Sequence, residues 1–200
     1  MMSATMSTPD PTDALTNRIL DTALQHFETL GWRATTMQNI ARCGGFARKS
    51  IYRRFANKRA LVEAVVWREV TRLVVDIDAA VSVLPRIEDR LVEGFVLALR
   101  AVRNHRVLRR VVATEPDVML SYLTTGAGPA LAQAHALTVD RIHRFFNGAT
   151  PSFDVDAVAE LLLRLGQSCL LTPEIAIRFD DEHQARAIAH RWLDPILTLR

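Results

Sequence analysis

The most chemically distinctive stretch of the chain is a run of cations between Thr29 and Val62. It contains eight lysines or arginines and no aspartate or glutamate. Because a surface rich in cations and free of carboxylates attracts phosphate groups, this run predicts contact with a nucleic-acid backbone. The eight cations are Arg33, Arg42, Arg48, Lys49, Arg53, Arg54, Lys58 and Arg59.

The positive charge is confined to this part of the chain. Residues 1–60 carry nine basic and four acidic side chains, whereas the other 140 residues carry 16 basic and 18 acidic ones. A local positive field predicts that one small module faces DNA while a larger module has another role. Nonspecific compaction of DNA is disfavoured, because the larger module has almost no net charge.

Two short helices are predicted to position these cations. The first begins at a threonine cap, Thr35 or Thr36, and ends at the glycine pair at 44–45. The second covers about residues 47–55. Its Ile51 side chain is predicted to be buried, and most of its basic side chains are predicted to lie on the other faces of the helix. Two short helices that meet at a glycine turn, the second of them basic, predict a helix-turn-helix.

Helical periodicity continues through the rest of the chain, without the alternation that is typical of strands. Asn57 is predicted to cap a long helix that begins at Lys58 and extends beyond the size of a DNA-binding head. The pattern predicts an all-α protein of about nine helices. Its expected divisions are a disordered tail at 1–12, a helix-turn-helix domain at 13–60 and a helical domain at 61–200.

The composition argues against several other classes of protein. Cys43 and Cys169 are far apart, so neither a disulfide framework nor a cysteine-based zinc site is expected. The six histidines lack metal-ligand spacing, and we expect no metal and no cofactor. The polar N-terminus does not resemble a signal peptide and no stretch is long enough to span a membrane, so a cytoplasmic location is expected.

A spaced series of residues runs from the first helix to the start of the fourth and resembles the N-terminal domain of the tetracycline-repressor (TetR) family of transcriptional regulators. The resemblance covers about residues 14–65. It implies a three-helix, homeodomain-like head followed by a larger helical domain that dimerises and often holds an inducer. The series comprises Phe27, Gly31, Thr35, Thr36, Ile40, Ala41, Gly45, Phe46, Ser50, Ile51, Tyr52, Phe55 and residues 58–61.

The resemblance also implies a role for the protein and for individual side chains. It implies a dimeric regulator, usually a repressor, that leaves a palindromic operator when a small molecule binds. Two positions depart from the family pattern: Ala47 replaces a common capping serine, at a cost of ~1 kcal/mol, and Lys49 replaces a common glycine. The implied DNA-contacting set is Thr36, Arg48, Lys49, Ser50, Tyr52, Arg53 and Lys58.

The last two predicted helices carry more apolar surface than a single buried face needs. Paired with their copies in a second subunit they would form a four-helix bundle, which predicts a homodimer. A two-fold dimer would place two recognition helices about one DNA turn, ~34–36 Å, apart. The expected interface residues are Leu161, Leu165, Cys169, Ala185, Ile188, Trp192 and Ile196.

The middle helices carry apolar side chains that could surround a small molecule, although such residues also form ordinary cores. Because few charges lie among them, a bound effector is expected to be largely apolar. The candidate pocket residues are Phe95, Leu99, Val102, Met119, Tyr122, Leu123, His143 and Phe146.

Two other functions stay open from the sequence. One is a DNA-binding regulator without an inducer, whose larger domain only dimerises or recruits another protein. The other is a helical enzyme, which is disfavoured because the chain has no Ser-His-Asp set, no glycine-rich phosphate loop and no metal-ligand spacing.

Overall fold

The computed structural model of the chain describes residues 14–114, 116–172 and 178–197, with the side chains of 111, 112, 118, 119, 121 and 122 outside that description. Every regular element within these ranges is an α-helix, which confirms the all-α prediction. The described ranges contain ten helices, close to the nine expected, and the predicted tail at 1–12 lies outside them. The helices are α1 (Ala14–Leu30), α2 (Met37–Gly44), α3 (Arg48–Arg54), α4 (Lys58–Val81), α5 (Ile87–Asn104), α6 (Arg106–Thr114), α7 (Pro116–Leu123), α8 (Gly128–Phe145), α9 (Val155–Leu171) and α10 (Glu182–Leu197).

Side-chain caps begin several helices, and those of α2 and α4 are caps that the sequence predicted. Thr36, Asn57 and Asp154 each accept a hydrogen bond, at 2.9–3.1 Å, from the backbone N–H three residues further on. Asp154 therefore caps α9. Asp181 caps α10 by accepting from two backbone N–H groups, so the acidic run before this helix satisfies its N-terminus.

The described residues pack around two hydrophobic clusters. The first, called here the head cluster, joins α1, α2, α3 and the first turns of α4, and it includes the fully buried Phe27 and Ile51. Leu61 and Val65 of α4 belong to it, so the apolar core of the head extends past residue 60. The second, called the body cluster, joins α5, α8, α9 and α10. Val107 of α6 packs against the head cluster, which makes α6 a direct contact between the two units.

Ion pairs fix the long helix α4 to its neighbours on both sides. Arg68 lies 2.8 Å from the carboxylate of Asp21 on α1 and also donates to the carbonyl of Asn17 at 3.1 Å. Further along α4, Asp78 pairs with Arg141 of α8. Because α4 is held at two points, its orientation relates the head to the larger domain.

A bidentate ion pair joins α5 to α10. The guanidinium of Arg186 donates from Nε and Nη2 to the two carboxylate oxygens of Glu93, at 2.6 and 2.9 Å. These hydrogen bonds lower the pKa of Glu93, and they outweigh burial, which raises it.

Replacing Glu93 with glutamine is expected to reduce both the stability of the fold and its sensitivity to acid. Because the pKa of Glu93 is lower in the folded chain than its ordinary 4.5, its contribution is complete above that value and disappears as the pH falls through the folded pKa. We expect Glu93→Gln to lower the free energy of unfolding by ~1 kcal/mol at pH 7. The loss is modest because the ion pair is partly exposed to solvent. Urea unfolding at neutral and acidic pH measures the difference. In the control variant Glu160→Gln, which alters an exposed pair on α9, both quantities should stay unchanged, and an equal loss there would contradict the assignment.

Candidate nucleic-acid interface

The turn between α2 and α3 depends on two glycines and one aromatic ring. Gly45 has a φ of 67°, in the left-handed region, and ends α2 as predicted. The backbone N–H of Phe46 donates to the carbonyl of Ala41 at 2.8 Å. The half-buried Phe46 ring packs on the head cluster, and the Arg18 guanidinium lies 5.3 Å from the ring centroid. The ring therefore anchors the turn.

Gly44 and Gly45 are needed for different reasons, and single alanine substitutions should separate them. A Cβ at position 44 would lie 2.5 and 2.6 Å from Cζ and Cδ2 of Phe46, so the ring would have to leave its place. A Cβ at position 45 would meet nothing within 4 Å and would be opposed only by the positive φ. We expect Gly44→Ala to destabilise the chain by ~2–3 kcal/mol and Gly45→Ala by ~1 kcal/mol. Thermal or urea unfolding measures both, and the reverse order would show that space around Phe46 is not limiting.

Helix α3 has a buried side and an exposed basic side. Ile51 is fully buried in the head cluster. The exposed side carries Arg48, Lys49 and Arg53 together with Tyr52, which is 52% exposed. The predicted DNA-contacting side chains of this helix therefore lie together on the surface of the head.

The start of α3 also agrees with the sequence analysis. Ala47 occupies the N-cap and makes no side-chain capping hydrogen bond. Ser50 is half-buried in the first turn, and its N–H donates to the carbonyl of Ala47 at 2.9 Å. Thr36, predicted as a phosphate contact, is exposed and uses its hydroxyl to cap α2.

Lys58 lies at the start of α4 as predicted, and it also has a partner within the head. Its ammonium group donates to the carbonyl of Trp32 and lies 5.7 Å from the centroid of the Trp32 ring. An ammonium group has three donors, so this hydrogen bond does not by itself prevent a phosphate contact. Lys58 therefore joins the α1–α2 connection to α4.

Sequence reasoning missed the residues that position α3. Arg54 donates from Nε to the hydroxyl of Thr16 at 3.0 Å and so ties α3 to α1. Thr35 is fully buried and its hydroxyl donates to the carbonyl of Gly31 at 2.7 Å. The four-residue spacing of Thr35 and Gly31 could have suggested the second contact, but no sequence signal connects Arg54 with Thr16.

The two cysteines lie in different units and environments. Cys43 is exposed on α2, whereas Cys169 is half-buried on α9, and no disulfide joins them. Within the described ranges, no group of three His, Cys, Asp or Glu side chains is arranged to hold a metal ion.

The predicted pocket residues occupy different environments in the structure. Phe95 and Leu99 are buried in the body cluster, and the Phe146 ring packs edge-on against Phe153 with 5.8 Å between the ring centroids. His143 is exposed on α8. Val102 and Leu123 are half-buried, and the side chains of Met119 and Tyr122 lie outside the description.

The predicted dimer residues separate into three groups. Ala185 is buried inside the body cluster. Leu161 and Ile188 are half-buried and lie outside that cluster, on α9 and α10. The remaining residues are half-buried and pack against the cluster from its edge: Leu165, Cys169, Trp192 and Ile196.

Helix α3 has a buried side and a basic side, it follows a glycine turn, and the described part of the larger domain is helical. These features together define a DNA-binding protein of the helix-turn-helix class. A family model described as bacterial regulatory proteins, tetR family, matches residues 19–65. The match covers most of α1, α2, α3 and the first turns of α4, so the head of the chain is similar to the corresponding part of these regulators.

Individual relatives agree with this placement. The HTH-type transcriptional regulator Rv1255c of Mycobacterium tuberculosis is 27% identical over 190 residues, which cover 94% of this chain and 87% of the relative. The HTH-type transcriptional regulator AlkX of the same species is 24% identical over 186 residues, which cover 90% and 84% of the two chains. The crystal structure of the TetR family repressor AlkX from Dietzia sp. strain DQ12-45-1b has a TM-score of 0.67 and 22% identity, and the match covers 92% of this chain and 97% of that one.

Within the described ranges, no helix combines the length and the apolar character that crossing a membrane requires.

Proposed function

We propose that this protein is a homodimeric repressor that binds a palindromic operator, with α3 of each protomer in the major groove. The observation that carries the proposal is that α3 exposes three cations and a tyrosine while its Ile51 is buried in the head. Regulators of the tetR family bind DNA operators and act as dimers. A cytoplasmic location follows from this role.

The roles of individual side chains follow from their chemistry. Arg48 and Lys49, at the start of α3, are suited to guanine edges and phosphates, because both residue types donate to the O6 and N7 acceptors of guanine. Tyr52 and Arg53 extend the same exposed side and are suited to phosphate contacts. Lys58 lies at the start of the next helix, where its ammonium group would reinforce the positive surface.

The second protomer is proposed to pack against α9 and α10. Leu161 and Ile188 support this arrangement, because they are half-buried apolar side chains outside the body cluster. A C₂ dimer through this surface would present two heads at half-sites about one helical turn apart, ~34–36 Å.

The effector is proposed to be a small, largely apolar molecule that releases the protein from its operator. The Dietzia repressor AlkX is implicated in biodegradation of n-alkanes, which supports an alkane or an alkane-derived compound as the first class to test. A second candidate is a regulator without an inducer. The burial of Phe95 and Leu99 inside the body cluster favours that alternative.

Selection of bound duplexes from a random DNA pool tests the DNA-binding part of this proposal. We expect an enriched palindrome whose half-sites are centred about 10 base pairs apart or a multiple of that spacing. No enrichment, or equal affinity for selected and random duplexes, would contradict sequence-specific binding. Release of the selected duplex by apolar compounds then tests the effector, and the absence of release by any of them would favour the regulator without an inducer.

A further inference from the structure

A second run of cations lies outside the DNA-binding head. Between Glu93 and Glu115 the chain carries five arginines and one histidine, without any acidic side chain. The cations are Arg100, Arg103, His105, Arg106, Arg109 and Arg110. None of these residues belongs to the predicted DNA-contacting set.

Helix α6 gathers three of these arginines in one place. Arg106, Arg109 and Arg110 have i, i+3 and i+4 spacing, so they share one side of the helix. With Glu28 of α1 they line an open groove of about 450 Å³. The groove therefore has a cationic wall from α6 and a carboxylate from the head.

Among the residues that the structure describes, the cations of this groove have no acidic partner. Among the described residues, none of the three arginines forms an ion pair, and Glu28 is not paired with any of them. The Nε of Arg110 is buried and has no hydrogen-bond partner. Since that nitrogen is covered by the protein, the donors that a bound molecule could reach are those of the exposed Arg106 and Arg109 side chains.

We propose that this groove binds a small molecule that carries two adjacent phosphates. A guanidinium group matches phosphate oxygens with paired hydrogen bonds, and three such groups suit the charge of a diphosphate. Glu28 would accept a hydrogen bond from a hydroxyl or amino group on the remainder of the ligand.

The location of the groove connects this ligand to the head. Glu28 belongs to α1 of the head, and α6 packs on the head cluster through Val107. A diphosphate between α1 and α6 would therefore contact both units. If its affinity differs between the DNA-bound and free forms, each ligand changes the affinity for the other by the same factor.

Calorimetric titration of the full chain with pyrophosphate at low salt tests the site. Arg106 and Arg109 are exposed, so the double variant Arg106→Gln/Arg109→Gln should remain folded. It should bind pyrophosphate at least about tenfold more weakly, because each lost charged hydrogen bond is worth roughly that factor. Glu28→Gln should bind it several-fold more tightly, since a repelling carboxylate is removed. Arg86→Gln, an exposed arginine at the start of α5, should match the wild type.

Three outcomes would overturn the proposal. They are no binding of pyrophosphate to the wild type, equal binding by the wild type and the double variant, or an equal loss in Arg86→Gln. Weaker binding of duplex DNA by the double variant, without any binding of pyrophosphate, would instead place this surface against the flank of the operator. The proposal goes beyond the repressor function, and because the titration contains no DNA, its failure is distinguishable from failure of operator binding.

Discussion

The double variant Arg48→Ala/Lys49→Ala is expected to bind the selected operator roughly a hundredfold or more weakly than the wild type at physiological salt. Each good contact to a base contributes about 1–3 kcal/mol, and about 1.4 kcal/mol corresponds to tenfold in affinity. The proposed homodimer would lose both contacts in each of its two heads. Because both side chains are exposed, the fold should stay intact.

Fluorescence anisotropy with a labelled duplex, measured over a range of salt concentrations, gives the affinity and its salt dependence. The slope of log K against log salt should become shallower in the double variant, because fewer counterions are released. The control Arg86→Ala/Arg164→Ala removes the same charge from exposed positions on the larger domain and should keep the slope. An equal loss of affinity in this control would indicate a general charge effect.

The second large effect is expected from placing charges in the proposed dimer interface. In Leu161→Glu/Ile188→Glu, two carboxylates per protomer would face their symmetry copies in an apolar surface. Buried unpaired charges oppose association by several kcal/mol, so we expect a monomer at micromolar concentration. Operator affinity should fall with it by about a hundredfold or more, because the gain from joining two half-site contacts is lost.

Analytical ultracentrifugation gives the oligomeric state, and far-UV circular dichroism checks that the helices remain. The matched control is Val75→Glu/Val83→Glu, which adds the same charges at apolar residues that are 54% and 81% exposed. This control should remain a dimer and keep its affinity for DNA. A dimeric Leu161→Glu/Ile188→Glu variant would show that another surface joins the protomers.

The head could be predicted from the sequence because its signals are local. A cap such as Thr36 or Asn57 acts on an N–H only three residues away, and Gly45 ends α2 through its own dihedral angle. The division of α3 into buried and exposed sides follows from helical periodicity within a few residues. The structure confirms each of these predictions.

Contacts between distant parts of the chain could not be predicted in the same way. Arg54 and Thr16 are 38 residues apart, and Glu93 and Arg186 are 93 residues apart. Helical spacing shows that an apolar side exists, but it does not show which helix covers that side. For this reason the sequence placed His143 in a candidate pocket, whereas the structure exposes it on α8. For the same reason the packing of Val107 on the head cluster could not be predicted.

The different environments of the two thiols provide a direct way to follow the heads. A maleimide spin label should react first with Cys43, which is exposed on α2, and slowly with the half-buried Cys169. Each protomer of the proposed dimer would then carry one paramagnetic probe beside its α2–α3 turn. Pulsed dipolar spectroscopy of the pair would give the separation of the two turns, first in free protein and then in the presence of duplex or effector.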